Sequence, residues 1–421
     1  MSKSIFLLFI LFFFSLKNSY AVTISQLKSL IDRYSLEIGI EKTAIEKSKF
    51  LREATFRSYF PRISLTGEVD EFYPYTGFLS KSWNQQYTLG ISVSANPLNL
   101  QRNVQLKVDK YSIEVNKDAL EKTRLELYSQ AINYLLKLKT LEKLIEIRKE
   151  LLRSSKEILK ISEKKYKNGL VLITDVLKSK ANVEKAKTSL RNTEKEYNQT
   201  FNLLNELVNF SLKTGEKAEV ELLEEVKLPK IKKLISIALL KRPEIYKLKK
   251  EIEIAKLNVE IQKKTLSPQL NFSASYTKSG TAFFPDKDNY QLSAVLSFPI
   301  FDSGVTKLKS LAVTKDLISK ELSLKKQENA IKREVLNAVE AVNSAMEEVK
   351  SAKSFLNYSK EAYKRVLNEY KLGVSDIVAL LQAFDNLKTA EESYINSLFN
   401  LNSAYYELKK ATGELLYGGK K

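Results

Sequence analysis

The chain runs to 421 residues with a formal net charge of +19, 12 glycines, 8 prolines, and neither histidine nor cysteine. Those two absences exclude disulfides, thiolate metal sites and the usual nucleophile–base pairs, so no enzyme activity and no cofactor are expected. Lysine and glutamate are interleaved along the chain, which reads as a solvated helical surface with no nucleic-acid partner.

Residues 1–21 read as a secretory signal: Lys3, an unbroken apolar run over 5–14, and the small-x-Ala site Ser19-Tyr20-Ala21. That run is too short to cross a bilayer, and no later stretch reaches the roughly 18 apolar residues of a membrane helix. The mature chain is expected to open with a helix over 24–59, ended by Pro61. Two strands follow, over 63–69 and 87–95. Ile63, Leu65 and Val69 alternate with Ser64, Thr66 and Glu68, and Tyr87, Leu89, Ile91 and Val93 alternate with Thr88, Gly90, Ser92 and Ser94. Period-two alternation gives a sheet two unlike faces. The connecting loop carries Phe72, Tyr73, Tyr75, Phe78 and Trp83. A very long helix then reaches Tyr166-Lys167-Asn168-Gly169, turns, and a second long helix returns antiparallel.

The second half repeats this order. Leu270, Phe272, Ala274 and Tyr276, then Tyr290, Leu292, Ala294, Leu296 and Phe298, form its two apolar rows, with Phe283 and Phe284 between them. Neither proline nor glycine interrupts residues 305–370, so a helix of roughly 100 Å is expected there. Ile331, Val335, Ala338, Val342, Ala345, Val349, Ala352 and Leu356 step by four and three. Ile377, Leu380, Phe384, Leu387, Ala390, Tyr394, Leu398 and Leu401 continue the pattern after Gly373. Sustained heptads mean coiled-coil packing.

Matching anchors recur at offsets of 202 to 207: Pro61 with Pro268, Tyr87 with Tyr290, Pro97 with Pro299, and Tyr166-x-x-Gly169 with Tyr370-x-x-Gly373. The chain therefore reads as a signal over 1–21 and two structural repeats over 22–214 and 215–421. Segments of alternating residues flanked by aromatics suit a transmembrane β-barrel. Four strands cannot close alone, and open edges in lipid would cost several kcal/mol per backbone group. Several copies must then pool their strands, and physics permits two, three or four.

The repeat plan resembles the TolC family of outer-membrane efflux and secretion channels across essentially the whole mature chain. The likeness is carried by Tyr166-Lys-Asn-Gly-Leu-Val-Leu-Ile-Thr-Asp-Val-Leu177, by Tyr370-Lys-Leu-Gly-Val-Ser-Asp-Ile-Val-Ala-Leu-Leu381, by Arg242-Pro243-Glu244-Ile245, and by Ala411-Thr412-Gly413-Glu414-Leu415. The resemblance implies a mainly α chain with a small β part. It also implies a homotrimer with a composite twelve-stranded β-barrel in outer-membrane lipid and a twelve-helix α-barrel of antiparallel coiled-coil hairpins in the periplasm. Such a channel is a passive duct serving an inner-membrane pump in tripartite efflux or type I secretion. It would meet a periplasmic adaptor at the hairpin tips, here Asn168, Gly169 and Leu170 with Leu372, Gly373 and Val374. A soluble periplasmic coiled-coil adaptor or spacer is the alternative.

By the same resemblance the periplasmic gate maps onto Asp175, preceded by Thr174, and onto Tyr370. The family's arginine position is Ser375, so no ion pair can form there. The two acidic positions that narrow the entrance are Ala379 and Gln382. Asp376 lies about one turn earlier and either restores a ring of negative charge or simply starts a helix. With Met346 the lone methionine after the initiator, a copper-binding methionine ladder is excluded.

Overall fold

The computed structural model describes residues 21–72, 84–213 and 217–417. The signal segment up to residue 20, and the loop aromatics Tyr73, Tyr75, Phe78 and Trp83, lie outside the described residues.

Strand β1 (Ala21–Val22) leads to Thr23, whose hydroxyl accepts from the Gln26 N–H while the Gln26 carboxamide accepts from the Thr23 N–H. This capping box starts helix α1 (Ile24–Tyr34). Helix α2 (Leu36–Arg57) follows, so the single helix expected over 24–59 is in fact two. The break is Ser35, whose ψ of 132° is extended and whose hydroxyl donates to Glu37 Oε2 at 2.7 Å. A serine offers the backbone a local alternative to helical bonding, and here it ends one helix and begins the next.

Strands β2 (Arg62–Phe72) and β3 (Asn84–Leu98) precede helix α3 (Leu100–Lys167), capped by the Asn99 carboxamide accepting from the Gln101 and Arg102 N–H groups. Helix α4 (Ile173–Leu207) returns, and a strap containing β4 (Lys217–Ala218) pairs in parallel with β1. Then come α5 (Ile231–Lys241), α6 (Pro243–Lys263), β5 (Gln269–Gly280), β6 (Lys287–Ser297), α7 (Val305–Leu372) and α8 (Ile377–Ala411). Both α3 and α7 have 68 residues, about 100 Å of helix each. Both α4 and α8 have 35.

The strands form one antiparallel sheet in the order β2-β3-β5-β6. Its registers align Ile63, Val93, Ala274 and Leu292 in one row and Leu65, Ile91, Tyr276 and Tyr290 in the next row on that face. The intervening rows are Ser64, Ser92, Ser275 and Gln291, then Thr66, Gly90, Thr277 and Asn289. One face is therefore aliphatic and aromatic, the other small and hydroxylic. Among the described residues nothing covers the apolar face at its outer strands: Leu65 is 84% exposed and Leu292 86%. Strands β2 and β6 are the two open edges. No helix among the described residues is long and apolar enough to cross a membrane.

Below the sheet the helices lie side by side in the order α2-α3-α6-α7, and farther down in the order α4-α3-α8-α7. On α7, Ile331, Val335, Val342, Ala345, Val349 and Ala352 are buried in the seam that their spacing requires. The middle of the molecule holds the largest core, where Leu125, Leu136, Ala238, Ile331 and Leu401 meet. A second core joins Leu27, Ile31, Ile38, Leu204 and Val208.

Two polar clamps lock this middle. Asn402 on α8 accepts from the Leu223 N–H at 2.9 Å and donates to its carbonyl at 3.0 Å, pinning the strap. Arg242, between α5 and α6, is buried and forms a two-pronged pair with Glu244 at 2.9 and 2.8 Å. It also donates to Glu334 on α7 at 2.9 Å and to the carbonyl of Ala411 on α8. Removing a buried charge's partner leaves an uncompensated ion. Arg242→Ala is expected to cost about 3 kcal/mol, read as a lower denaturant midpoint of the full chain in detergent.

Candidate functional site

The tips of the two long hairpins gather the residues singled out in the sequence. At the first tip the Leu170 N–H reaches the Lys165 carbonyl and the Gly169 N–H reaches that of Tyr166, at 2.9 and 3.0 Å. At the second, Val374 bonds back to Glu369 and Gly373 to Tyr370, at 3.0 and 3.2 Å. These are paired Schellman closures that require a left-handed residue, met by Gly169 at φ 71° and Gly373 at φ 84°. Asn168, Gly169 and Leu170 are exposed, as are Leu372, Gly373 and Val374. Leu170, Leu372 and Val374 stand 69%, 81% and 79% exposed, an apolar end with nothing packed on it.

Just above the tips, Tyr370 is fully buried where α7 crosses the first hairpin. Its hydroxyl is hydrogen-bonded to Ser162 of α3 at 3.1 Å, and Ser162 to Ser179 of α4 at 3.0 Å. The carbonyls of Ile158 and Asp175, each one turn back, lie within reach of the Ser162 and Ser179 hydroxyls as alternative acceptors for their single protons. Lys165 donates to the Tyr370 carbonyl, and its ammonium sits 4.3 Å from the ring centroid. Burial raises the Tyr370 pKa; the hydrogen bond with Ser162 opposes the rise and the nearby Asp175 charge adds to it. The phenol therefore stays neutral, and a neutral hydroxyl chain ties the two hairpins together. Leu151, Ile158, Ile377, Leu380 and Phe384 pack around it.

Asp175 is half-buried in the first turn of α4, where a carboxylate suits the helix dipole. Within one chain its charge reaches Tyr370, while the hydrogen bond of the tyrosine goes to Ser162. Thr174 is exposed beside it. Ser375 is half-buried, its N–H directed at the Glu369 carbonyl 3.4 Å away. Asp376 is the N-cap of α8 and accepts from the Ala379 N–H at 2.8 Å, so its carboxylate has a structural role. Ala379 and Gln382 lie exposed on α8, with Gln382 bonded to Asn386 at 3.1 Å. Ser162 and Ser179 did not stand out in the sequence. The signal available was a serine at a buried seam position, since Leu151, Ser155, Ile158 and Ser162 step by four, three and four.

The second turn has open space around it, because a Cβ added at Gly373 would meet no atom within 4 Å. Gly373→Ala therefore isolates backbone strain and is expected to lower stability by about 1 kcal/mol, with Gly373→Asn milder. Thermal unfolding of the two variants beside the parent measures both.

Comparison with known proteins agrees with this architecture. The model of the family described as outer membrane efflux protein matches residues 52–209 and 234–414. The probable efflux pump outer membrane protein TtgC of Pseudomonas putida is 21% identical over 369 residues, covering 84% of this chain and 75% of the relative. Among solved structures, the Campylobacter jejuni CmeC outer membrane channel superposes with a TM-score of 0.77 at 16% identity, covering 94% of this chain and 86% of that one. CusC superposes at 0.78 with 14% identity, covering 94% and 93%. With the family model spanning well over half of its length, the chain belongs to the outer membrane efflux protein family.

Proposed function

We propose that the protein is the outer-membrane channel subunit of a tripartite efflux system, a passive, non-enzymatic duct from the periplasm through the outer membrane. The observation that carries this reading is the sheet with one apolar and one hydroxylic face. An uncovered face of Leu65, Ile91, Tyr290 and Leu292 suits lipid, and the opposite rows of serine, threonine and glutamine suit a wet lumen. A soluble coiled-coil spacer has no use for such a sheet.

The chain works as a homotrimer. Its lateral edges are unlike: β2 and the exposed Leu36, Ile40 and Phe50 of α2 on one side, β6 and the exposed Leu308, Leu311, Ile318 and Leu322 of α7 on the other. Unlike edges meet head to tail and generate a ring where the rotation closes. Three copies give twelve strands and twelve helical segments around the axis, a barrel with no edge left in lipid. The paired helix lengths of 68 and 35 residues support two structural repeats, over 22–214 and 215–421.

The apolar tips Asn168-Gly169-Leu170 and Leu372-Gly373-Val374 receive a periplasmic adaptor, through which an inner-membrane pump delivers substrate. The gate lies just above them. Thr174, Asp175, Tyr370 and Ser375 hold the hairpins together by neutral and charge-assisted hydrogen bonds in place of an ion pair. Asp376, Ala379 and Gln382 border the entrance.

The protein should sediment with outer membranes, require detergent, and run as three chains by native mass spectrometry. Recovery as a water-soluble monomer would overturn the reading. In planar bilayers Asp175→Ala and Tyr370→Phe should each raise single-channel conductance severalfold over the parent. Unchanged conductance in both removes these residues from the gate.

A further inference from the structure

The inward row of α8 reads Ile377, Leu380, Phe384, Leu387, Glu391, Tyr394, Leu398 and Leu401, stepping by three and four throughout. Glu391 is the one charged residue in that row. The flanking Phe384 and Leu398 are each 2% exposed, while Glu391 is half-buried with its Oε2 shielded from solvent and lacking a hydrogen-bond partner. It stands 14 residues from the start of α8, about 20 Å above the tips.

The charged groups around it do not compensate it. From α3, Glu150 repels it. Arg148 of the same helix is directed elsewhere: it pairs with Glu392 at 3.0 Å and donates to the Ser189 carbonyl and to Thr193 on α4, while its buried Nε has no hydrogen-bond partner. From α8 itself, Glu392 adds repulsion. From α7, Lys360 supplies the only attraction, and it is exposed; Lys353 is engaged with Glu224 at 2.7 Å. Lys185 of α4 faces Asp385 at 3.7 Å. A carboxylate with one oxygen shielded from water and unpartnered is penalised when charged, and in a coiled-coil seam it relieves that penalty by binding a proton or by opening the seam.

We propose that Glu391 is a proton-operated switch between the two hairpins: neutral, it lets α8 seat on α3; ionised, it loosens the second hairpin from the first. The proposal deepens the channel reading by assigning a regulator to the same gate. Burial, followed by the charges of Glu150 and Glu392 and against that of Lys360, pushes this carboxyl up to about 7. Its folded pKa is raised, so it contributes stability while protonated. That contribution is lost progressively as pH rises from the ordinary value of 4.5 to about 7 and stays lost above. The chain contains no histidine or cysteine, so side chains with ordinary pKa values change little between pH 6 and 8.

The absence of native cysteine makes the test direct, because labels can be placed at will. Leu170→Cys and Leu372→Cys, spin-labelled in the full chain and diluted with unlabelled copies, report the distance between the two tips. In the parent the tip-to-tip distribution should lengthen and broaden as pH rises from 4.5 to about 7, with its midpoint inside that window, and change little above it. Glu391→Gln should hold the low-pH distribution throughout. Lys360→Met, which removes the attraction, should move the midpoint to higher pH. A Glu391→Gln response parallel to the parent, a parent that does not respond, or a Lys360→Met midpoint that stays or falls would each overturn the proposal. The distance measurement needs no conduction, so failure of the channel reading in fractionation leaves this test intact.

Discussion

The constraint on which the rest of the molecule depends is the backbone of β2 and β6. A four-stranded antiparallel sheet leaves a row of N–H and C=O groups along each outer strand, and water can satisfy them only while the sheet stays out of lipid. The apolar rows through Leu65 and Leu292 favour lipid on one face. On the channel reading proposed above, other copies supply the missing partners. Lateral self-association would then follow from strand count, and the helices would share in it, because α2 and α7 carry the same lateral edges downward with exposed apolar side chains.

Within the helical part, stability is distributed unevenly along the length. The middle has both large cores, the Arg242 pairing with Glu244 and Glu334, and the Asn402 clamp on the strap. The lower hairpins have a narrow seam, a small cluster around Phe384, and the hydroxyl chain from Tyr370 through Ser162 to Ser179. Neutral hydrogen bonds contribute on the order of 1 kcal/mol each, less than a buried two-pronged ion pair. The ion pairs that join the two lower hairpins, Arg148 with Glu392 and Lys185 with Asp385, lie above the tips, and serine at position 375 adds none beside Tyr370.

Much of this was legible from residue spacing. The heptads of α7 and α8, the glycine turns, the alternation of the strands and the order of the elements follow from periods of 3.5 and 2 and from proline and glycine placement. The break at Ser35 was not legible, since a lone serine in a helical pattern is usually tolerated, and only its bond to Glu37 reveals the kink. At the hairpin tips, similarity paired Asp175 with Tyr370; within one chain the Asp175 charge acts on Tyr370, and the hydroxyl itself is bonded to Ser162. Ser162 was not legible, because a residue's neighbours across three helices depend on helix rotation, which spacing alone gives only to within a residue or so. Asp376 was legible as a helix start, and its carboxylate accepts from the Ala379 N–H.

Coiled-coil seams also carry information in their exceptions. Where a seam needs only cohesion, leucine and isoleucine suffice, and each polar substitution costs burial energy that must be recovered in specificity or motion. In this chain the exceptions run along the helices: Ser48, Ser129, Thr140, Thr200, Ser397 and Asn402 are buried in the upper and middle parts, and Ser155, Ser162, Ser179 and Ser359 in the lower hairpins, where Glu391 also stands. Serine at a seam lets helices approach and slide at little cost in packing volume, and it keeps a hydroxyl available for a partner in more than one register. A glutamate whose charge depends on pH adds a bias to that sliding. On the channel reading proposed above, the polar residues of the lower seam loosen cohesion where the duct would open, below a middle held by the two large cores and the Arg242 pairing.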